Sequence, residues 1–302
     1  MNSAPPVPDS AARSLSDNLA DASEAVGRSV VSIAGRRWPA SGVVQAPDLV
    51  LTAAHAVNRL DHLVLRVGDA ERQAQLVGQD PALDLALLRV PGALLTPARW
   101  RPSAALRAGS LLLAVSRPRG GLRVRLGLLG GVGPGFQTAW GARVDAALEV
   151  ELSPRPGLAG AALGDVEGQV VGLVVSGLGR ARRMVLPAET LGRVAVELLA
   201  HGRVRRGYLG VGTQPVRLPP QLHGVAGRTQ GLLVVAVEPG SPADAAGVTF
   251  GDVLLQIGST PTSDVHDLLG TLAQAPVGEA LTVKLLRAGA VHERPVMVGV
   301  RP

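Results

Sequence analysis

The sequence predicts a mostly β protein, because short apolar segments separated by turn residues dominate the chain. Its 302 residues are 46% hydrophobic but only 2% aromatic, so the core must be built mainly from Val, Leu, Ala and Ile, which suits many short strands. The length is that of about two domains, at ~150 residues for each domain. Strands are expected at 41–44, 49–52, 63–67 and 85–90, with Gly, Pro and Asp turns between them. This pattern is typical of an antiparallel barrel.

Other elements of the first two thirds of the chain follow from local patterns. An amphipathic helix is expected before a strand at 30–33, because apolar residues recur at helical spacing in Leu15, Leu19, Ala22 and Val26. A second barrel is expected from about 111 to 185, with a strand at 170–175. The glycine-rich run 127–135 lacks the Lys-Ser or Lys-Thr pair and the glycine spacing of phosphate-binding loops. We therefore expect a flexible loop there.

The charged residues give the chain a formal net charge of +6, carried almost entirely by arginine, since Lys284 is the only lysine. Arginine favours planar anionic partners, but nucleic-acid-binding proteins usually combine such clusters with aromatic residues or present them on one helix. Neither arrangement is visible. We therefore expect a solvated surface and no specific nucleic-acid partner, with a basic scaffold for anionic partners as the weaker alternative. The clusters are Arg117, Arg119, Arg123 and Arg125, then Arg180, Arg182 and Arg183, and finally Arg203, Arg205 and Arg206.

Several functional classes find no support in the sequence. The absence of cysteine excludes disulfides and thiolate chemistry. No His, Asp and Glu cluster has the spacing of metal ligands, so no metal and no cofactor are expected. No stretch approaches the ~20 uninterrupted apolar residues of a membrane span. Residues 1–16 lack the apolar core of a signal peptide, which indicates a cytoplasmic protein, or a periplasmic or extracellular one if a signal was removed.

The strongest chemical pattern is the order of a histidine, an aspartate and a tight turn of small residues. His55 lies among short apolar residues, Asp84 comes directly before an apolar run, and the turn of small residues lies at 157–163. Acyl transfer by a hydroxyl needs an imidazole to take its proton and a buried carboxylate to orient that imidazole. His55 and Asp84 suit these roles, in the order of chymotrypsin-type enzymes. Taken singly, each also fits a structural role, as a packed core histidine or a capped strand-end carboxylate.

These segments resemble those of the HtrA/Deg-type proteins, and the resemblance runs from about Val26 to the end of the chain. Asp84 stands in a D-L-A-L-L run that follows a family-like G-Q-D-P at 78–81. The resemblance implies a chymotrypsin-like double antiparallel β-barrel followed by a PDZ domain. The family's nucleophile segment, D-A-x-x-x-P-G-N-S-G-G-P-L, aligns without a gap on residues 151–163 and matches at Pro156, Gly157, Gly160 and Leu163.

The resemblance implies a catalytic site without its nucleophile. Ala159, which has no oxygen, stands at the nucleophile position beside the expected catalytic residues His55 and Asp84. The backbone N–H groups of Gly157 and Ala159 are expected to form an oxyanion hole, which can bind a carbonyl without cleaving it. Two explanations stay open: a natural pseudoprotease, or an active serine endopeptidase carrying a Ser-to-Ala change. The first is favoured because three more turn residues depart from the family sequence, Leu158, Ala161 and Ala162.

A second motif opens at 207–211, which resembles the entrance of a PDZ groove. In such a groove a peptide is held as an added strand while backbone N–H groups bind its terminal carboxylate. Residues 239–248 resemble the PDZ segment in which a short helix is capped by Ser and closed by Gly, and Ser263 is expected to cap a later helix. The expected peptide-binding residues are Tyr208, Leu209, Gly210, Val211, Val265 and Leu269.

The predicted organisation has four parts. They are an N-terminal extension with a short helix at 1–25, a trypsin-like domain of two barrels at 26–200, a linker at 201–206 and a PDZ domain at 207–302. The expected function is binding of peptides or unfolded proteins, in protein quality control or as an adaptor, with a C-terminal peptide in the PDZ groove. The family's trimers use an aromatic-bearing N-terminal segment, whereas no aromatic residue precedes Trp38, so the sequence leaves a homotrimer open.

Overall fold

The computed structural model describes residues 10–34, 40–58, 62–68, 70–119, 121–138, 140–153, 157–175 and 184–300. The chain divides into two compact units, the first formed by 1–136 with 144–204 and the second by 137–143 with 205–302. Antiparallel strands dominate both units, so the predicted mostly β class is confirmed. Trp38, Pro156 and the arginines at 180, 182 and 183 lie outside the described residues.

The first unit begins with a helix and a closed barrel. These elements are α1 (Ala11–Gly27), β1 (Val30–Ile33), β2 (Ala40–Ala46), β3 (Leu49–Ala53), α2 (Ala54–Val57), β4 (Leu63–Val67), β5 (Ala70–Asp80) and β6 (Leu85–Arg89). The six strands close in the order β1-β2-β3-β6-β5-β4. The predicted helix is confirmed: Ser10 caps it by accepting a hydrogen bond from the Arg13 N–H. Ala22 and Val26 are buried, whereas Leu15 is half exposed.

A second group of strands forms one antiparallel sheet. Its elements are a 3-10 helix (Ser103–Ala105), β7 (Leu111–Ser116), β8 (Arg123–Gln137), β9 (Arg143–Glu151), β10 (Ala162–Asp165), β11 (Val170–Val175), β12 (Met184–Pro187) and α3 (Ala188–His201). The strand order is β12-β11-β10-β7-β8-β9. The strands β10 and β11 are buried along their whole length. The turn that precedes β10 therefore leads directly into the middle of this sheet.

The glycine-rich run 127–135 is not a flexible loop, so that prediction was wrong. It lies inside β8, which pairs with both β7 and β9. A Cβ on Gly127 would lie 2.9 Å from the carbonyl oxygen of Glu151, and one on Gly135 would lie 2.8 Å from that of Asp145. These glycines let the backbone of β9 approach closely, which is a recognised use of glycine within strands.

The second unit is a smaller sheet with three short helices. Its strand order is β14-β15-β16-β18-β19, with β17 paired to β16 and β13 paired to β20. Because β14 is an end strand, one of its edges has no strand partner among the residues that the structure describes. The elements are β13 (Gly207–Tyr208), β14 (Val211–Arg217), α4 (Pro220–Ala226), β15 (Gln230–Val237), α5 (Pro242–Ala245), β16 (Val253–Ile257), β17 (Thr260–Pro261), α6 (Val265–Gln274), β18 (Ala280–Arg287), β19 (Ala290–Met297) and β20 (Gly299–Val300).

The helices of the second unit begin at capping residues. Ser241 caps α5, because its hydroxyl accepts a hydrogen bond from the Asp244 N–H. Asp264, rather than the predicted Ser263, caps α6 in a reciprocal capping box with Asp267. The hydroxyl of Ser263 instead accepts a hydrogen bond from the guanidinium of Arg228. Across the described part of the chain, no helix combines the length and the apolar character needed to cross a membrane.

Candidate active site and peptide groove

The pairing of β3 with β6 brings the predicted histidine and aspartate together. The last residue of β3, Ala53, pairs with the first residue of β6, Leu85. Asp84 comes directly before that pair and His55 comes two residues after it. The Nδ1 atom of His55 lies 2.7 Å from Oδ2 of Asp84 and 3.0 Å from Oδ1. The strand register therefore places the imidazole and the carboxylate side by side at the same end of the β3–β6 pair.

The backbone around Asp84 is specialised for this contact. Asp84 has a φ of +53°, a left-handed conformation that costs about 1–3 kcal/mol in residues other than glycine and that aspartate tolerates better than most. Its carbonyl accepts the Ala54 N–H at 2.9 Å, and its Oδ1 accepts the His55 N–H at 2.9 Å. The carboxylate is thus held by backbone as well as by the ring.

The carboxylate also sets the protonation of the histidine. Its hydrogen bond with Asp84 raises the pKa of His55 above the ordinary value, and this effect and the negative charge together outweigh the opposing effect of burial. The Asp84 side chain is 9% exposed and that of His55 is 47% exposed. The buried carboxylate therefore orients the imidazole through one side of the ring, and the other side of the ring is open to solvent. This arrangement favours a tautomer with the Nδ1 proton on the carboxylate side.

The turn that contains Ala159 keeps a defined backbone without a nucleophile. Gly157 and Gly160 have φ values of +89° and +71°, which glycine adopts without steric cost. The Gly160 N–H donates to the Val174 carbonyl at 2.9 Å, and the Ala161 N–H donates to the Leu158 carbonyl at 3.1 Å. These bonds involve only backbone atoms, so they hold the turn whichever side chain stands at 159.

Two residues that the sequence analysis did not single out join this turn to the barrel. The Ser41 N–H donates to the Ala159 carbonyl at 3.0 Å, and the Thr52 hydroxyl donates to the Ser41 carbonyl at 2.7 Å. A Cβ on Gly160 would lie 1.9 Å from the Ser41 carbonyl oxygen. Thr52 precedes His55 by three residues, so the turn lies against the strand that leads to the histidine. No local pattern marks such contacts, since they join distant segments.

The remaining departures from the family turn are explained by packing. Leu158 is buried in the core of the second sheet, and Ala161 and Ala162 are fully buried beside it. None of these side chains supplies a hydroxyl. Among the described residues, the N–H groups of Gly157 and Ala159 have no hydrogen-bond acceptor. The turn thus offers two backbone donors, as an oxyanion site requires, and an apolar side chain where a nucleophile would stand.

The described residues contain no group of three or more His, Cys, Asp or Glu side chains placed to hold a metal ion. The ionisable groups that lie together in the first site are one imidazole and one carboxylate. That pair is His55 with Asp84. Its chemistry is to accept, hold and return a proton.

The second unit contains a groove between the edge strand β14 and α6. Five of the six predicted peptide-binding residues line it, and the cavity at this position has a volume of about 150 Å³. Val265, the first residue of α6, is not among the lining residues. The side chain of Leu209 is only 3% exposed because it packs in the core. The lining residues are Trp140, Gly141, Arg206, Gly207, Tyr208, Leu209, Gly210, Val211, Leu268, Leu269, Leu272 and Ala273.

The loop at the end of this groove is fixed through its carbonyl groups. The Leu209 carbonyl accepts the Ala243 N–H at 2.9 Å, and the Gly210 carbonyl accepts the Glu238 N–H at 2.8 Å. A Cβ on Gly210, whose φ is +81°, would lie 2.2 Å from the Cβ of Ser241. Within the described chain the N–H groups of Leu209 and Gly210 have no backbone acceptor. The loop therefore has the donors that a terminal carboxylate needs.

Comparison with known proteins agrees with both units. The family model described as Trypsin-like peptidase domain matches residues 40–173, and the one described as PDZ domain matches residues 233–287. A probable periplasmic serine endoprotease DegP-like of Ectopseudomonas mendocina (strain ymp) is 30% identical over 274 residues, which are 86% of this chain and 56% of that protein. Serine endoprotease DegS of Haemophilus influenzae is 25% identical over 270 residues, which are 85% of this chain and 76% of that protein. The chain thus spans little more than half of the DegP-like relative.

Solved structures give the same result. The HtrA-type protease AlgW with tripeptide has a TM-score of 0.71 and 28% sequence identity, and the match covers 94% of this chain and 97% of that one. By sequence and fold, the chain has a trypsin-like peptidase domain followed by a C-terminal PDZ domain, and it is similar to the HtrA-type proteases.

Proposed function

We propose that this protein binds peptides or unfolded polypeptides without hydrolysing them, as a catalytically silent member of the HtrA group. One observation carries the proposal: the histidine, the aspartate and the turn keep their geometry, while the residue at the nucleophile position is Ala159. Acyl transfer to an enzyme requires an oxygen or sulfur atom there. The described side chains of the turn contain neither.

The same geometry supports binding. A peptide carbonyl can accept hydrogen bonds from the Gly157 and Ala159 N–H groups, which have no acceptor in the described chain. His55, oriented by Asp84, would stand beside that carbonyl with no hydroxyl to deprotonate. The peptide then dissociates intact. In the second unit, the edge of β14 can receive a peptide as an added strand, with its carboxylate at the loop of Leu209 and Gly210.

The cellular role that fits such a protein is protein quality control or an adaptor function. Relatives named as periplasmic endoproteases support a periplasmic location for this protein too. The HtrA-type protease AlgW was solved with a tripeptide, which supports peptide binding by the shared fold. The apolar lining of the groove suits a peptide with an apolar terminal residue.

Cleavage of a fluorescently labelled unfolded casein tests the silent-site proposal. The protein is expected to release no fluorescence above buffer, whereas Ala159→Ser is expected to restore cleavage, because the backbone of the turn is already in place. A matched Ala159→Ser/His55→Ala protein controls for contaminating proteases and should be inactive. Cleavage by the unsubstituted chain that disappears in His55→Ala would overturn the proposal. Fluorescence anisotropy of the same casein measures binding, and a lack of saturable binding would overturn it as well.

The intact pair of His55 and Asp84 also favours a second candidate, an active endopeptidase that has received a Ser-to-Ala change. The two candidates differ at one position only. Reading codon 159 in the natural gene separates them, since a serine codon identifies the active enzyme. Under that reading the Ala159→Ser protein is the natural catalyst, and the binding surfaces described above hold its substrate.

A further inference from the structure

A basic hairpin, defined as the described residues 117–119 and 121–125, joins β7 to β8 beside the turn that contains Ala159. The register places Val115 of β7 opposite Ala162, the first residue of β10, so the end of β7 lies next to the turn. The hairpin follows that end directly. Its Pro118 side chain lies 3.6 Å from the position that a Gly157 Cβ would take. The hairpin is therefore a wall of the site that contains the two oxyanion donors.

The base of this hairpin is anchored on both sides. The Arg117 N–H donates to the Ser41 hydroxyl at 2.8 Å, and Ser41 also bonds the Ala159 carbonyl. The Arg117 guanidinium donates to the Gly27 carbonyl at the end of α1. The side chain of Arg117 is thus used in the structure.

The other arginines of the hairpin have no such partner. Arg119 and Arg123 are exposed and Arg125 is half-buried, and in the described part of the chain no carboxylate forms an ion pair with any of them. Elsewhere in the same unit Arg101 and Arg193 are paired with aspartates at 2.8 and 2.9 Å. Three guanidinium groups without an ion pair among the described residues create a local positive potential along this hairpin. Such a potential favours and steers negatively charged ligands.

Resting on the function proposed above, we propose that the basic hairpin makes the silent catalytic site select acidic polypeptide segments. The hairpin adjoins backbone donors suited to a peptide carbonyl, so a peptide bound there has flanking residues next to Arg119. Aspartate and glutamate match guanidinium geometry. A nucleic acid is disfavoured, because the described hairpin carries no aromatic side chain on which bases could stack.

Two fluorescent peptides of equal length test this selection, one with two glutamates and a twin with glutamines in their place. Both are amidated at the C-terminus, which removes the carboxylate that the PDZ groove would bind. With the full chain at low salt, anisotropy is expected to show about five- to tenfold tighter binding of the acidic peptide, since two exposed ion pairs supply a modest gain. At 0.5 M salt the difference should fall below about twofold.

The variant Arg119→Gln/Arg123→Gln is expected to abolish the difference between the twins. Arg72→Gln is the matched control, because Arg72 is an exposed arginine on β5, in the first barrel. Equal binding of the twins by the unsubstituted chain would overturn the selection and leave the proposed function standing. Failure of both peptides to bind would overturn both. An oligonucleotide of equal charge that binds more tightly than the acidic peptide, and loses binding in the double variant, would assign the hairpin to nucleic acid instead.

Discussion

The two candidate sites of this chain differ in how they depend on side chains. In the first unit, acyl transfer would need one imidazole, one carboxylate and one hydroxyl in register, and Ala159 at the nucleophile position has no hydroxyl. In the second unit, the groove relies on a strand edge and a loop of backbone donors. A site built from backbone groups tolerates many sequences, whereas a site built from side chains can be disabled by one substitution. Substitutions and changes of pH at each site test this difference.

The largest effect is expected at the carboxylate of the first site. In the Ala159→Ser background, Asp84→Asn should lower kcat by about 10⁴-fold, the size of the corresponding change in another serine protease. Asparagine tolerates the positive φ at this position, and its oxygen can still accept the His55 N–H, so the fold is kept. Far-UV circular dichroism of the variant controls for folding. A loss of less than tenfold would contradict the assigned role of Asp84.

The same background gives a pH dependence of defined sign. Because Asp84 raises the pKa of His55, activity of Ala159→Ser should rise with pH through a midpoint above the ordinary value of about 6.5. The neutral imidazole is the form that accepts the nucleophile's proton. Measurement of kcat/KM from pH 5 to pH 9 locates the midpoint. A midpoint below 6 would show that burial, and not the carboxylate, controls the histidine.

The next effect concerns the shape of the turn. Gly160→Ala should destabilise the first unit by about 3 kcal/mol or more, because the new Cβ would meet the Ser41 carbonyl at 1.9 Å and the residue has a positive φ. The matched control is Gly192→Ala in α3, where nothing lies within 4 Å. That change should stabilise by about 0.5–1 kcal/mol. Urea unfolding measures both, and equal effects would contradict the argument.

A smaller effect is expected at the buried ion pair of the second unit. Arg287 donates to both oxygens of Asp252, which is 1% exposed. Arg287→Ala should cost about 2–3 kcal/mol by leaving a buried carboxylate unpaired. Arg294→Ala should cost less than about 0.5 kcal/mol, because within the described chain the Arg294 guanidinium donates only to a neighbouring carbonyl. Scanning calorimetry of the full chain compares the two, and equal losses would refute the role of the pair.

The pair also predicts acid sensitivity. Burial by itself raises the pKa of Asp252, but the hydrogen bonds from Arg287 and Thr249 bring it below the ordinary value. A depressed pKa in the folded state stabilises at neutral pH, and this contribution is lost as the pH falls from about 5 towards 3. The second unit should therefore melt at a lower temperature at pH 3.5 than at pH 6, and Arg287→Ala should weaken that dependence. If the melting temperature of Arg287→Ala depended on pH as strongly as that of the unsubstituted chain, the role of the Arg287–Asp252 pair would be contradicted.

The smallest effect is expected at the carboxylate end of the groove. A peptide with an apolar last residue and a free carboxylate should bind about tenfold more tightly than its amidated twin, through the N–H groups at Leu209 and Gly210. N-terminal acetylation changes the charge at the other end and should have little effect. Isothermal calorimetry with the full chain compares the three peptides. Equal affinity of the first two would remove the carboxylate site and leave strand addition alone.

Much of the fold could be predicted from the sequence because its signals are local. The helix with Ala22 and Val26 and the strand that follows lie where their spacing placed them. The glycine-rich stretch of β8 could not be predicted in this way, because its strand conformation depends on the close approach of β9. Local composition favours a loop there, and only the partner strand decides otherwise.

In the candidate sites too, local signals could be predicted from the sequence and long-range contacts could not. His55 and Asp84 were found from order and context, and the strand pairing brings them into contact. Ser41 and Thr52 could not be found, since Ser41 bonds the Ala159 carbonyl more than a hundred residues away, Thr52 bonds the Ser41 carbonyl, and neither contact carries a motif. At the groove, helical periodicity pointed to one face of α6, yet the cavity uses Leu268, Leu269 and Leu272 rather than Val265. Helical periodicity therefore predicts which face of α6 is apolar, whereas the contact of α6 with β14 determines which residues of that face line the groove.

The close fit of Gly160 against Ser41 has a consequence for the history of such a chain. The contact stabilises the fold whether or not the site is catalytic, so selection for a folded protein is enough to preserve the shape of the turn. Alanine and serine codons can differ by a single base. Under the proposed function, a lineage that carries Ala159 would therefore stand one nucleotide change away from a serine at this position, on a turn whose shape is already in place.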